Sequence, residues 1–488
     1  MKAPLTEELS KAAGLLNQGR ATEARALARK LVQQHPGAGP AFTILGVAAL
    51  RLGDLDDALA RLRRATQLDP ADADARLHLG LVLQRRGDGD AAIAAFSAAL
   101  TIDAKLKDAY AALAQVHAGR GEIDKAIDVL MRARTHWPNA PQMLVQIGFH
   151  HAQRGRWAEA AALTADAVAQ ARGAGQGSLL AQCEEILADM KMVADIAAAR
   201  PAPPAAVTGI RDSWEQTASR AISDSIPRSD TMTVVFFHVD STSDHPFLAQ
   251  YAADRRSVDY RGTLQAACMA AKRTNPAARV IVLTDTRTTW DGFPGIDHVA
   301  RLDVSDDWLM HSRMRAYRAA MISGALAGPT LLLDTDVALC RDFAAVFDGR
   351  FDLGLTYRSV AGMAHMPVNE GVILADLRRT DGAARAFARC LAFYDWLAEH
   401  GAAARRYGFD IRRWRGGQLS LASLVDWTVP PAGPRDCVID GVHCRFFPCD
   451  DYNYAVQAAD TAATVGGKWA LHFKGAAAKD QMQSLTQG

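Results

Sequence analysis

The residues in this sequence best suited to chemistry stand in one short run, Leu331-Leu332-Leu333-Asp334-Thr335-Asp336. Three apolar residues predict a buried strand, and two acids follow at its end. Taken alone, each acid can serve as a turn former or a helix cap. Two carboxylates at the mouth of a buried strand repel one another unless a cation stands between them. A hard divalent ion relieves that repulsion and takes oxygen ligands. The pair therefore points to a divalent-metal site at a strand end.

The elements that must position this pair are legible around it. TVVFFHVD (233–240), ARVIVLTD (278–285) and PTLLLDTDVAL (329–339) read as buried strands, the first two ending in Asp240 and Asp285. RGTLQAACMAAKRTNP (261–276) and HSRMRAYRAAMISGALAG (311–328) read as helices. This alternation predicts an α/β domain over 231–488, with a largely parallel sheet and helices on both faces. In such sheets ligands sit at the carboxyl ends of the strands, where these acids lie. On the second helix Arg315 and Arg318 are three residues apart and share a face.

Upstream the texture is different. Gly46, Gly80, Ala114 and Gly148 are spaced by 34 residues, and the same step links Gly53, Gly87, Gly121 and Gly155. It also links Ala58, Ala92, Ala126 and Ala160, while Pro36, Pro70 and Pro138 keep the register. One step back, Ala12, Gly19 and Ala24 mark a degenerate first repeat. A small residue at the first position lets two helices approach closely, and the turn glycine accepts a backbone geometry that a side chain opposes. Proline near the end of the second helix stops it. The pattern resembles the tetratricopeptide repeat over about residues 5–172. An all-α solenoid over 1–200 follows, with the segment from Gly177 to about Arg200 as its capping helix. Pro201, Pro203 and Pro204 mark a linker over 201–230, with a short connecting helix from about Ile210 to Ile222.

With these elements in place, the strand-end acids resemble the D-x-D motif of GT-A-fold (Rossmann-like) glycosyltransferases, especially the glycogenin-like and lipopolysaccharide-galactosyltransferase-like group. Later segments support the resemblance, which spans about residues 231–475. Pro367-Val368-Asn369-Glu370-Gly371-Val372-Ile373-Leu374 resembles the strand that lines the donor-sugar pocket, with Glu370 where a small residue is usual. Glu370 is read either as a sugar contact or, preferably, as pointing to solvent. Trp414-Arg415-Gly416-Gly417-Gln418-Leu419 resembles an Asp-Gln segment with Gly417 in place of the acid. Gln418 either contacts sugar or begins an ordinary helix. Ala470-Leu471-His472-Phe473-Lys474-Gly475 resembles a His-x-x-Gly motif, and Asp451-Tyr452-Asn453-Tyr454 a Tyr-Asn-Tyr-like element or plain aromatic packing.

The resemblance implies a nucleotide-diphosphate sugar as donor, with a UDP-sugar first among the candidates. It implies a divalent ion, Mn²⁺ (or Mg²⁺), held by Asp334, Asp336 and His472. Donor contacts would come from Asp240, Thr335, Asn369, Gly371, Gln418, Lys474 and Gly475, with Lys479 as a further cation. Arg315 and Arg318 either hold the diphosphate or form a charged helix face. The implied activity is metal-dependent hexosyl transfer to an acceptor hydroxyl, with the repeats recruiting a protein or polysaccharide acceptor. The competing reading is an inactive transferase-like domain in a repeat-based adaptor. A nucleotidyltransferase would need a glycine-rich basic loop after the first strand, and Ser241-Thr242-Ser243-Asp244 is not one.

Composition bounds the rest. The 488 residues predict several domains, and 49% apolar with 22% charged residues is a globular balance. A formal charge of +1 gives no support to a nucleic-acid partner. The seven scattered cysteines, with no CxxC pair, favour free thiols over a disulfide framework or a zinc site. The N-terminus does not read as a secretory signal and no run predicts a transmembrane helix, so the reading is cytoplasmic.

Overall fold

The computed structural model describes residues 3–199, 210–240, 259–290, 293–305, 308–358, 367–400, 416–428, 435–474 and 482. The chain divides into two compact units. The first comprises 1–151 with 163–180, and the second 152–162 with 181–488.

The 34-residue period becomes helix pairs. In the first unit, Ala21–Gln34 follows Ala3–Asn17, Leu55–Leu68 follows Gly39–Arg51, Gly89–Ile102 follows Ala73–Arg85, and Ile123–His136 follows Lys107–Gly119. The glycine of each turn does what its spacing implies. Gly19, Gly53, Gly87, Gly121 and Gly155 all have φ between 72° and 81°, a region that side chains disfavour. The small residues mark close approaches. A Cβ on Gly46 would stand 2.5 Å from Leu62 Cγ, and one on Gly80 would stand 2.5 Å from Phe96 Cε1. Ala58, Ala92 and Ala126 are fully buried at the recurring contact on the second helix. Aspartates begin many of these helices: the Asp54, Asp72 and Asp88 carboxylates accept from the amides of Asp57, Ala75 and Ala91.

The second unit is an α/β domain on an eight-stranded sheet. Its strands are β1 (Thr233–Phe237), β2 (Arg279–Asp285), β3 (His298–Leu302), β4 (Pro329–Leu333), β6 (Leu353–Tyr357), β7 (Val368–Asp376), β8 (Arg435–Ile439) and β9 (Val442–Pro448). Their order is β3-β2-β1-β4-β7-β6-β9-β8. A three-stranded sheet joins β10 (Tyr454–Ala455), β11 (Ala470–His472) and β5 (Val337–Leu339) in that order. Alternating residues of the main sheet enter two cores. Val234, Phe236, Leu331 and Leu333 pack with Leu264 and Ala271 of the Tyr260–Thr274 helix and with the small sheet. Val235, Phe237 and Leu332 pack with Ile222 of the Ser213–Ser225 helix, Met314 and Tyr317 of the Leu309–Ile322 helix, and Phe387 of the Gly382–His400 helix.

Two expectations are corrected. The sheet is mixed, because only the β3-β2-β1-β4 half is parallel throughout. β7 runs antiparallel to both β4 and β6, and β8 to β9. The β8–β9 hairpin turns on Asp440-Gly441, both at positive φ (49° and 75°), a turn chemistry that enforces antiparallel pairing. In addition, the single strand expected over 329–339 is broken at Asp334–Asp336, and its last part belongs to the other sheet. The seven cysteines are unpaired. Among the described residues, no helix is long and apolar enough to cross a membrane.

Candidate metal centre

The turn between β4 and β5 carries the acid pair. It closes with the Val337 amide donating to the Asp334 carbonyl (3.1 Å). Neighbouring strands pin it on both sides. The Asp334 amide donates to the Gly371 carbonyl of β7 (3.0 Å), and the Phe473 amide donates to the Asp336 carbonyl (2.9 Å). β5 pairs antiparallel with β11, with Val337 opposite His472. That register delivers the imidazole to the acids. His472 Nε2 lies 3.2 Å from Asp336 Oδ1 and 3.8 Å from Asp334 Oδ2. One ligand atom from each of the three residues lies within 4.8 Å of the others. The 3.2 and 3.8 Å separations suit neighbouring ligands on one ion with bonds of about 2.0–2.2 Å. The side chains of Asp334 and Asp336 keep 13% and 16% of their surface exposed, so both acids are largely dehydrated but reachable.

The orientation of the imidazole follows from a hydrogen-bond chain. Thr356 Oγ1 has one proton, and it faces the carbonyls of Asn369 (2.9 Å) and Val372 (3.3 Å). It therefore accepts from Asn453 Nδ2 (3.1 Å). This turns Asn453 Oδ1 toward His472 Nδ1 (2.9 Å), which must donate. Nε2 is left facing the two carboxylates, where a neutral ring would offer its lone pair to a cation. Gly371 makes room for the ring, since a Cβ there would stand 2.7 Å from both His472 Cε1 and Nδ1.

Arg313 is paired with two acids. One of its nitrogens contacts Asp334 Oδ1, and Nη2 lies 2.7 Å from Glu370 Oε2. Burial works against its charge, but Asp334 and then Glu370 outweigh that and hold Arg313 above its ordinary value. Glu370 is 3% exposed. Burial raises its carboxyl, with the pull of Arg313 opposing. The solvent-facing reading of Glu370 is thus corrected: the acid is buried, and Arg313 accompanies it.

Arg315 and Arg318 are corrected as well. They do share a face, but that face meets the Ser213–Ser225 helix. Arg315 Nη2 binds the carboxylate of Asp212, the cap of that helix (2.6 Å to Oδ1), with its guanidinium 4.3 Å from the Trp214 ring centroid. Arg318 is fully buried, paired with Glu215 and donating from Nε to the Ala384 carbonyl (3.0 Å). Helical phase explains the difference, because Arg313 lies one turn before Tyr317, whose hydroxyl donates to the Leu333 carbonyl at the end of β4 (3.1 Å).

The other anticipated residues are distributed as follows. Thr335 lies in the turn between the acids. Asn369 is buried on β7 and accepts from the Gly371 amide (3.2 Å). Gln418 is buried in the Gly416–Ala422 helix, which packs beside β7. Lys474 is exposed and within electrostatic reach of Asp334 and Asp336. Asp240 follows β1 at the same sheet edge, since Phe236 pairs with Leu333. It meets His238 Nε2 (3.1 Å) and Arg261 Nε (3.4 Å). Asp285 is buried and holds the Thr288 amide and hydroxyl, as a turn former does. Gly475 and Lys479 lie outside the described residues.

Sequence reasoning missed Arg313 and Asn453. Arg313 carried a usable signal, its four-residue offset from Tyr317. Asn453 sat in a segment noted for its aromatics, and those rings do pack: Tyr452 stacks on Trp469 at 5.3 Å between centroids.

Comparison with known proteins bears on the helical part. A family model of the tetratricopeptide repeat matches residues 45–106 and 111–175. No curated protein matches the chain. Among solved structures, MamA is 24% identical with a TM-score of 0.32, covering 34% of this chain and 96% of its own. A thermophilic TPR protein of Thermus thermophilus, TTC0263, is 22% identical with a TM-score of 0.30, covering 34% and 92%. YrrB, a TPR protein with an unusual peptide-binding site, is 16% identical with a TM-score of 0.29, covering 33% and 84%. The N-terminal helices are tetratricopeptide repeats, a fold suited to binding protein partners.

Proposed function

We propose that the second unit is a metal-dependent glycosyltransferase that moves a sugar from a nucleotide diphosphate to an acceptor hydroxyl, with a UDP-sugar as the first donor to test. The observation that carries the reading is the convergence of Asp334, Asp336 and His472 Nε2 from two different sheets. Two carboxylates and one imidazole suit Mn²⁺ somewhat better than Mg²⁺, which prefers oxygen alone. A divalent ion held there would neutralise charge on the departing diphosphate. Asp334 divides its carboxylate, with Oδ1 on Arg313 and Oδ2 on the imidazole side. Arg313 thereby limits the rotation of one ligand. Lys474, exposed and within electrostatic reach of both acids, would meet the phosphates' remaining charge. On this reading the repeats recruit the acceptor or a protein that carries it, and a polysaccharide acceptor is the variant to test beside it.

The test is Mn²⁺-dependent hydrolysis or transfer across a panel of nucleotide sugars with the full chain. Asp336→Ala should lower turnover by orders of magnitude, since metal stabilisation is worth several kcal/mol. Its far-ultraviolet circular dichroism should keep the helical signal of the repeats. Wild-type turnover that persists in Asp336→Ala would remove the metal assignment.

A further inference from the structure

A cleft of about 320 Å³ opens in the second unit beside the Leu309–Ile322 helix. His311 and Arg315 line it, four residues apart and so on one face of that helix, whereas Arg313, two from each, lies on another. None of the three candidate metal ligands lines it. Two tryptophans from separate elements do: Trp214 of the Ser213–Ser225 helix, and Trp308 at the start of the Leu309–Ile322 helix. Both are half-buried, and the protein fixes both rings before anything enters. Trp214 Nε1 donates to the Asp303 carbonyl (2.6 Å), and the Arg315 guanidinium stands 4.3 Å from its ring centroid. Trp308 stacks on Tyr394 (6.1 Å between centroids) and meets His311 edge-on (5.1 Å). Rings held in this way lose little freedom when a ligand covers them.

The charges on the helices around the cleft are already matched. Arg315 binds Asp212, and Asp395 takes both His311 Nε2 (2.8 Å) and Arg211 (2.6 Å). Asp303 and Ser305, both exposed on the segment after β3, complete the lining with a carboxylate and a hydroxyl. Flat aromatic faces beside hydrogen-bonding groups suit a neutral ring that is apolar on its faces and polar at its edge, as a sugar is. The volume is at the small end of ligand clefts and fits one such ring rather than a large molecule.

We propose that this cleft is a second saccharide site, which holds one sugar ring of a polymeric acceptor away from its reacting end. The saccharide binding stands on the cleft alone, and the word acceptor rests on the glycosyl-transfer reading above. Because the cleft and Arg313 lie on different faces of one helix, a ring bound here does not touch the metal ligands, and the acceptor has to be longer than one sugar to reach both places.

The experiment titrates the full chain calorimetrically, without Mn²⁺ or donor, with maltohexaose, cellohexaose, chitohexaose and mannohexaose. At least one should bind saturably. Trp308→Ala and, separately, Asp303→Asn should weaken that binding about tenfold, the scale of a lost aromatic anchor or of a hydrogen bond to a charged group. Asp303→Asn spares the local fold, because Trp214 uses the backbone carbonyl of that residue. Mn²⁺ affinity should stay unchanged in both variants. With the bound hexasaccharide as acceptor, both should raise KM and keep kcat, the sign of binding lost away from the reacting atoms, whereas a structural fault lowers kcat as well. Blank titrations with all the hexasaccharides overturn the inference, which is also the result expected if the cleft receives a side chain of a partner protein. Wild-type affinity in either folded variant overturns it too. Thermal unfolding identifies a Trp308→Ala chain that does not fold, and Asp303→Asn then decides alone. Saccharide binding that the variants weaken, in a chain that transfers no sugar from any nucleotide sugar, keeps the saccharide site and removes the glycosyl-transfer reading.

Discussion

At the scale of single residues, His472 depends on a partner that is not one of the three candidate ligands. Asn453 is 1% exposed and spends both ends of its amide, one on Thr356 and the other on His472 Nδ1. If the Nε2 lone pair is presented because of that bond, Asn453→Leu should weaken Mn²⁺ binding about 10–100-fold, the usual effect of losing such a support. Asn453→Asp should recover part of the loss, because a carboxylate still accepts from Nδ1–H. Calorimetric titration of the full-length variants checks both. Equal affinities for the leucine variant and the wild type would show that the tautomer is set in some other way.

At the scale of elements, the Leu309–Ile322 helix has two jobs on two faces. Arg313 and Tyr317 serve the end of β4, while Arg315 and Arg318 pair with Asp212 and Glu215, two acids with the same three-residue spacing. The two rungs should differ in worth. Arg318–Glu215 is fully buried, so Glu215→Ala should destabilise the domain by about 3–5 kcal/mol by stranding a buried guanidinium. Arg315–Asp212 is partly solvated, and Arg315→Ala should cost about 1 kcal/mol or less. Chemical denaturation measures both costs. Neither variant should alter Mn²⁺ affinity, and a loss of affinity in Arg315→Ala would return that residue to the site.

At the scale of the molecule, the chain joins two units with separate cores. Each core can melt on its own terms, so calorimetry of the full chain should resolve two transitions. Mn²⁺ should raise only one of them, since a ligand stabilises the unit that binds it. Gly80→Val should lower the other. Its added atoms meet Phe96 where even a Cβ is too close, and such overpacking costs about 1–3 kcal/mol. A single transition that responds to both changes would mean that the units unfold together.

The sequence by itself determined what depends on short-range spacing. The 34-residue step set the helix pairs, because a turn glycine and a small contact residue act within one repeat. The run of leucines before Asp334 identified a buried strand with acids at its end. It could not determine partnerships made across the sheet. Asp334–Asp336 divides two strands because β5 is captured by β11, which lies far along the chain. Among three arginines on one helix, only packing against β4 selected Arg313. Glu370 lies buried where Arg313 and the Gly416–Ala422 helix meet β7. In each case the deciding contact joins residues whose spacing along the chain carries no period, so only the tertiary structure brings them together.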